Sequence, residues 1–397
     1  LGTLYCAVCR DRLKLQPRGN FIHQPYHHHH HHHHHYYKHQ IYQMGLFSKK
    51  SSSSTKPIAR EDLIPCDKVL TSPPDSYGKA QPLPQLTKEE WHKYKQVLEH
   101  FQQDEVLLPV KSSSGSSHAG AETKDLSSWE KFWLSRECLL RYLRATKWDV
   151  AEAIKRLTKS LVWRREFGIS YDGRYANEVT ADVVAVENET GKQLILGFDR
   201  ARRPILYLKN GRQNTKTSFR QVQLLVYMLE STVALMPQGV ENAAILVDFK
   251  HYKEPGVITA SMPPIAIGKQ VLNILQDHYP ERMGKGLLAN IPWLGWTFLK
   301  LIHPLIDPNT REKIVFDEPF EKFVEPSQLE AIYNGRLDFQ YKHDVYWPDL
   351  AQKVVEQRQT QHERFLKFGG TVGLSEYDFK GTHDDPLYPV EYAYGYE

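Results

Sequence analysis

Between Trp293 and Ile306 nearly every residue is apolar: Trp, Leu, Gly, Trp, Thr, Phe, Leu, Lys, Leu, Ile, His, Pro, Leu and Ile. A helix that is apolar on almost every face must be enclosed by protein, lie on a membrane, or close over an apolar ligand. At about 1.5 Å per residue it spans roughly 20 Å, short of the ~30 Å hydrocarbon core of a bilayer, so it is not a conventional membrane-spanning segment. Ahead of it stand Tyr279, Pro280, Glu281, Arg282 and Lys285, a polar cluster. An ordinary core helix and a lid over a cavity both fit this stretch taken alone.

The surrounding pattern narrows the choice. Beyond Thr180, short apolar runs alternate with helical periods: Gln193 to Gly197, Ile205 to Leu208, Ala243 to Phe249, Leu287 to Asn290 and Ile314 to Phe316 read as strands. Most are apolar on both faces, as in a sheet covered on both sides. Between them Phe219 to Leu235, with Ser218 as cap and Pro237 as stop, and Ile265 to Gln276 read as crossover helices. The expectation is an α/β fold with a mixed, mostly parallel sheet.

Upstream, Thr87 with Glu90 and Ser127 with Glu130 match the capping-box spacing, in which side chain and backbone at a helix start satisfy each other. Leu139, Leu140 and Leu143 form an apolar stripe in the helix after Ser127, and Asp149 caps another that Gly168 ends. These make a helical lobe whose basic residues Arg141, Arg144, Lys147, Arg164 and Arg165 read as a solvated face. Ser112 to Gly120 is a polar linker. Residues 1–43, with nine consecutive histidines from His27 to His35, have no sustained period and read as a tag or low-complexity segment. Met44 is a plausible start, and Lys49 to Lys56 a flexible basic tail. A final helix is expected from about Pro348 to Lys367, with a tail packed outside or loose.

A formal charge of +4 over 397 residues does not point to nucleic acid. Cys6, Cys9, Cys66 and Cys138 are too scattered for a disulfide framework, and no secretory segment is seen, so a reducing, cytoplasmic setting is expected. The devices of common α/β enzymes are missing: no G-x-S-x-G elbow, phosphate loop, dinucleotide fingerprint or H-E-x-x-H. Asp248, at a strand end, lacks a partner base in sequence. No catalytic residue, cofactor or metal is therefore assigned.

Several motifs occur together and in order: LLRYLRATKWDV (Leu139 to Val150), WRREFG (Trp163 to Gly168), ILVDFK (Ile245 to Lys250), HYPERMGK (His278 to Lys285) and DPNTREKIVF (Asp307 to Phe316). In this the chain resembles the CRAL-TRIO phosphatidylinositol transfer proteins of fungi. Through GRQNTKTS (Gly211 to Ser218), NIPWLGWTFLKLIHP (Asn290 to Pro304) and VFDEPF (Val315 to Phe320) it is most similar to the branch linked to pleiotropic drug and azole resistance. The resemblance covers about Leu83 to Leu387. It implies a helical lobe over 83–172, a lipid-binding domain over 173–345, and a C-terminal helix and tail over 346–397, with 1–82 left as a disordered or low-complexity N-terminal extension.

It also implies a sheet flooring an apolar pocket and a mobile gating helix carrying Trp293, Leu294, Trp296, Phe298, Leu299 and Ile302. The headgroup site of the family maps onto Glu281, Thr310, Lys313 and Lys147; the Arg expected before Lys147 is Thr146 here. Lys313 can neutralise a phosphate, while Glu281 and Thr310 can bond inositol hydroxyls or hold Lys313. Where relatives that bind phosphatidylcholine carry polar groups, this chain has Ile195, Leu206, Leu229, Ala243, Ile245 and Leu275. Burying a choline phosphate there without partners would cost several kcal/mol. Poor phosphatidylcholine binding and a drier pocket, with a sterol as candidate exchange ligand, are the expectation; simple repacking of a core is the alternative.

The function so implied is extraction of phosphatidylinositol and its movement between membranes, in support of phospholipid and sterol balance and azole tolerance. The protein would be cytoplasmic and peripheral on membranes: endoplasmic reticulum, lipid droplets or cell periphery. A lipid sensor or scaffold presenting phosphatidylinositol to a lipid kinase is the competing class, and a lipid-processing enzyme a third.

Overall fold

The computed structural model describes residues 58–111, 123–258, 265–292, 296 and 308–391, with the side chains of 265–269 excepted. The histidine run, the basic tail and the Ser/Gly linker lie outside the described residues.

The chain enters along the sheet domain. Strand β1 (Ile64–Cys66) pairs in parallel with a strand almost at the other end of the chain, Leu337–Phe339. Val69 N then donates to Asp349 Oδ2 at 2.9 Å, and Lys353 Nζ returns to Val69 O at 2.8 Å. Residues 58–82, expected to belong to an extension without structure, thus include a strap tied to the domain. Three residues are too few to show a period, and their partners lie some 270 positions away.

The helical lobe follows. Helix α1 (Lys88–Phe101) starts on the Thr87/Glu90 capping box; the two-residue strands β2 (Leu108–Pro109) and β3 (Thr123–Lys124) pair antiparallel. Helix α2 (Ser128–Trp133) carries the Ser127/Glu130 box. The single helix expected after Ser127 is broken at Leu134, because Ser135 caps a separate α3 (Arg136–Ala145) by accepting from Cys138 N. Helix α4 (Val150–Phe167) begins on Asp149 and stops at Gly168, whose φ of 100° is the left-handed conformation glycine adopts at no steric cost.

The basic face of this lobe is where the sequence reading fails most plainly. Arg141, Arg164 and Arg165 are buried, not solvated. Arg165 Nε meets Glu130 Oε2 at 2.7 Å while its other nitrogens donate to the carbonyls of Leu108 and Asp125, fastening β2, β3 and α2 to the end of α4. Arg164 Nη2 donates to Glu230 Oε1 at 2.7 Å, and Tyr279 Oη donates to Glu230 Oε2 at 2.9 Å, so a carboxylate of the sheet domain is held from two directions.

After a short helix α5 (Ala181–Val184) come β4 (Gln193–Phe198), β5 (Pro204–Lys209), α6 (Phe219–Leu235), β6 (Ala243–Asp248), α7 (Ile265–His278), β7 (Met283–Ala289), α8 (Pro308–Lys313) and β8 (Ile314–Phe316). The sheet order is β4-β5-β6-β7-β8, antiparallel only at β4–β5. The alternation in sequence is therefore a mixed, mostly parallel sheet. Strand β7 starts four residues before the expected Leu287, since Gly284 and Gly286, which read as turn, are strand positions; a Cβ at Gly284 would stand 2.4 Å from Arg203 Nε and Asn242 Oδ1. Ser218 makes no side-chain cap to α6. Gln221 secures that turn instead, donating to the Thr215 hydroxyl at 3.2 Å.

Strand β9 (Leu337–Phe339) leads into α9 (His343–Lys367), which starts five residues before Pro348. The proline is carried inside the helix because Tyr346 and Trp347 around it are buried, and Tyr346 Oη both accepts from Ile195 N and donates to Ile195 O at the free edge of β4. As far as Glu391 the tail is packed. Ser375 Oγ and Glu376 N donate to Glu137 at 2.6 and 2.7 Å, Gly373 N donates to Leu134 O, and the chain through α10 (Glu376–Phe379) closes the seam between lobe and sheet domain.

Two stability predictions follow from this packing. Gly197 sits at φ 74° beside the register shift of β4, where a Cβ would meet Gln328 O at 2.2 Å; Gly197→Ala should lower unfolding free energy in urea by about 1–3 kcal/mol or more, and an unchanged midpoint would mean the bulge relaxes freely. Burial, with Arg164, Lys159 and Arg156 nearby, pushes His278 down to about 3 from its usual 6.5, and burial opposes ionisation of Glu230 but Arg164 overrides it and holds that carboxyl at about 2. The unfolded chain then takes up a proton at His278 as pH falls through 6.5 and at Glu230 through 4.5, while the folded protein takes up neither until about 3 and 2. The contribution of His278 alone should be constant above about pH 7 and fall by up to about 2 kcal/mol between pH 7 and 5, read as the difference in stability between wild type and His278→Gln; a difference that does not change with pH over that interval would contradict the assignment.

Candidate lipid site

The two faces of the sheet differ. On one, Tyr207 stacks on Tyr333 with centroids 5.8 Å apart, and Lys209 Nζ meets Glu330 Oε2 at 2.8 Å, both members buried. Asp248, the strand-end carboxylate, accepts from Tyr333 Oη at 2.7 Å, Tyr252 Oη at 2.9 Å, Asn290 Nδ2 at 2.8 Å and Lys250 N at 2.8 Å. Its lone pairs are committed to these bonds. A carboxylate so held is a structural anchor for three loops, not a free base.

On the opposite face, cross-strand pairing aligns Ile195, Leu206, Ile245, Gly286 and Ile314 in one row, and Leu208, Val247, Leu288 and Phe316 in the next. Paired residues point to the same side of a sheet. Helix α6 packs against β4 and β5, which accounts for the full burial of Ile195 and Leu206. Over β6–β8 the apolar residues Ile245, Val247 and Leu288 form a cluster apart from the main core, completed by half-buried Met283, Ile291, Trp296, Ile314 and Phe316. Trp296 lies with its ring 5.8 Å from that of Phe316.

Of the apolar set, Ile195, Leu206 and Ile245 thus share one row. Leu229 enters the main core from α6, Leu275 packs half-buried against it from α7, and Ala243 lies at the start of β6 against Met236 and Val240. Of the gate residues only Trp296 is described; Trp293, Leu294, Phe298, Leu299 and Ile302 lie outside the described residues.

The polar candidates sit at the amino edge of the parallel strands. Glu281 precedes β7 by two residues and Lys313 directly precedes β8, with Thr310 one turn earlier in α8. Glu281 has a φ of 58°, an uncommon conformation for a residue with a Cβ. Its carboxylate receives Arg144 Nε at 3.0 and 3.1 Å, so Arg144, not Lys313, is its partner. No ion pair joins Glu281 to Lys313 among the described residues. Lys147 is exposed in the turn between α3 and α4, where Lys147 and Trp148 are both left-handed at φ 53° and 63°.

Behind Glu281 a line of charge runs inward. Arg144 also lies 3.8 Å from Glu241, Arg141 Nη1 donates to Glu241 at 2.7 Å, and Arg141 Nη2 donates to Glu376 at 3.0 Å. Burial alone would raise Glu376, but Arg141 and Arg282 beside it hold it well below the carboxylate range; Glu137, buried and facing Glu376, is pushed up to about 7. Sequence reasoning missed Arg141 and Arg144 as site-forming groups. The available signal was their spacing of three on one helix face, matched by Glu241 and Glu281, each just ahead of a strand.

Among the described residues no helix is long and apolar enough to cross a membrane. Residues 93–159 match the family model of the CRAL/TRIO N-terminal domain, and residues 188–335 that of the CRAL/TRIO domain. The phosphatidylinositol transfer protein PDR17 of Saccharomyces cerevisiae is 58% identical over 348 residues, which are 88% of this chain and 99% of that protein. A CRAL-TRIO domain-containing protein of Schizosaccharomyces pombe is 45% identical over 299 residues, 75% of this chain but 28% of its own length. The crystal structure of Sfh5 aligns with a TM-score of 0.34 and 20% identity over 46% of this chain and 64% of that one, too slight a likeness to carry an argument. With its helical lobe and its sheet domain both matched, and a relative more than half identical along nearly its whole length, the chain belongs to the CRAL-TRIO family.

Proposed function

We propose that the protein is a non-enzymatic carrier that extracts phosphatidylinositol from a membrane, shelters its acyl chains on the β6–β8 half of the sheet, and releases it at another membrane. The observation that carries this reading is the apolar cluster of buried Ile245, Val247 and Leu288, separate from the main core and bordered by half-buried Met283, Ile291, Trp296, Ile314 and Phe316. Acyl chains laid on it would gain roughly 25 cal/mol per Å2 of apolar surface removed from water. The name of the PDR17 relative supports phosphatidylinositol as the cargo.

In this reading Lys313 and Lys147 meet the phosphate, Glu281, oriented by Arg144, and Thr310 bond the inositol ring, and the segment around Trp296 gates the cavity. Arg144 supplies a guanidinium two residues before Thr146, where the family pattern expects an arginine. Ile245, the member of the apolar row that lies in the β6–β8 cluster, disfavours a choline phosphate, and a sterol is the second ligand of this reading. Work at the cytoplasmic face of membranes, and a part in sterol balance and azole tolerance, go with this reading.

Transfer of labelled phosphatidylinositol between vesicles tests it. Glu281→Ala and Lys313→Ala should each lower transfer by about 10- to 100-fold, the scale of one lost charge-assisted bond, and leave sterol binding in place. Equal loss of both ligands would make the pair structural. Binding of phosphatidylinositol without transfer would favour a presenting scaffold, and a product formed from the lipid would make the protein an enzyme.

A further inference from the structure

At the carboxyl edge of the sheet, the loop after β5 (residues 210–218) and the loop after β6 (residues 250–258) run together. Tyr252 N donates to Gly211 O, Ile258 N to Gln213 O at 2.9 Å, and Arg212 pairs with Glu254. Asn214 Nδ2 donates to Val186 O at 2.9 Å, which brings a third segment to the same place. Gln213 and Asn214 therefore hold Ile258 and Val186 beside each other, and Gln221 folds the 215–220 turn back onto Thr215, presenting Phe219. These three apolar side chains face solvent: Val186 is 62% exposed, Phe219 46% and Ile258 37%.

Around them the charge is one-sided. Lys216, Arg220, Lys250 and Lys253 are exposed. Among acidic neighbours, Glu254 is neutralised by Arg212 and Glu187 by Lys192, leaving Glu189 and Asp182 against the four cations. Exposed apolar side chains ringed by cations with no ion pair among the described residues match an anionic bilayer, where the cations sit at phosphate depth and the apolar groups enter the interface. A folded protein partner would leave either the charges or the apolar tips poorly matched.

We propose that Val186, the 210–218 loop with the first turn of α6, and the 250–258 loop form the surface by which the protein docks on an anionic membrane leaflet. This rests on the carrier reading, which requires the protein to meet membranes, and adds to it the face that does so and the lipid charge it selects. Lys216, Arg220, Lys250 and Lys253 supply the attraction; Phe219, Ile258 and Val186 supply the insertion. Both loops leave the sheet at the edge where Asn290 and Ile291 follow β7, so docking sets the Trp296 side of the apolar face toward the bilayer.

The test is flotation of the full chain with vesicles of phosphatidylcholine alone and of phosphatidylcholine with 30% phosphatidylserine (roughly the anionic content that draws basic segments). Wild type should bind the anionic vesicles and lose binding as salt is raised. Each neutralised cation should weaken it by about fivefold, so Lys216→Ala, Arg220→Ala and Lys253→Ala combined should weaken it by roughly 100-fold. Val186→Ser should weaken it by about fivefold without changing the salt dependence. Lys88→Ala, Lys155→Ala and Lys159→Ala combined, on the helical lobe, should bind as wild type. Wild type failing to bind anionic vesicles, or the first triple variant binding as well as wild type, overturns the proposal. Phosphatidylinositol content, measured in parallel, separates the two claims: docking through these residues by a protein that carries no phosphatidylinositol would sink the carrier reading and leave the surface standing.

Discussion

A sheet with apolar residues on both faces must cover both, and the way this one is covered decides the rest of the structure. One face is sealed by the chain from Phe320 to Leu337, through the Tyr207–Tyr333 stack, the buried Lys209–Glu330 pair and the committed carboxylate of Asp248. Among the described residues, α6 covers the other over β4 and β5. What remains over β6–β8 is an apolar floor whose described cover is half-buried, and a floor of that kind is what an acyl chain can occupy and leave. The position of Trp296 against Phe316 marks the same floor from above.

The helical lobe is joined to the sheet domain by apolar contact, such as Phe167 in the main core and Phe132 against Phe365 and Phe379, and by a line of charged pairs. Arg164 with Glu230, Arg141 with Glu376 and Glu241, and Arg144 with Glu281 form successive pairs from the interior to the surface. Such pairs add little net stability over a well-packed apolar seam, but removing one partner leaves an uncompensated buried charge, so they specify a single docking geometry. The outermost pair is the one that touches the candidate headgroup site. Arg144 fixes the Glu281 carboxylate, and the geometry of the lobe interface is thereby built into the site.

What was legible in the sequence follows from range. Local signals held: both capping boxes, the Asp149 cap and the Gly168 stop all depend on neighbours within a few positions. Signals that depend on distant partners did not. The β1 strap, the early start of α9 before Pro348, and the burial of Arg141, Arg164 and Arg165 are each decided by contacts made far along the chain. The same holds at the site: the row Ile195–Leu206–Ile245 is visible once the register is known, whereas the partner of Glu281 required knowing which helix end reaches it.

The claim on which the account turns is that the β6–β8 half of the sheet is a lipid floor with an inositol phosphate site at its edge. Mass spectrometry of lipids that co-purify with the protein tests it most directly. The account predicts phosphatidylinositol near one molecule per chain (about 1:1), with phosphatidylcholine at background, because the floor lacks polar partners for a choline phosphate. A protein that purifies without phosphatidylinositol, or with phosphatidylcholine as its main lipid, would contradict it.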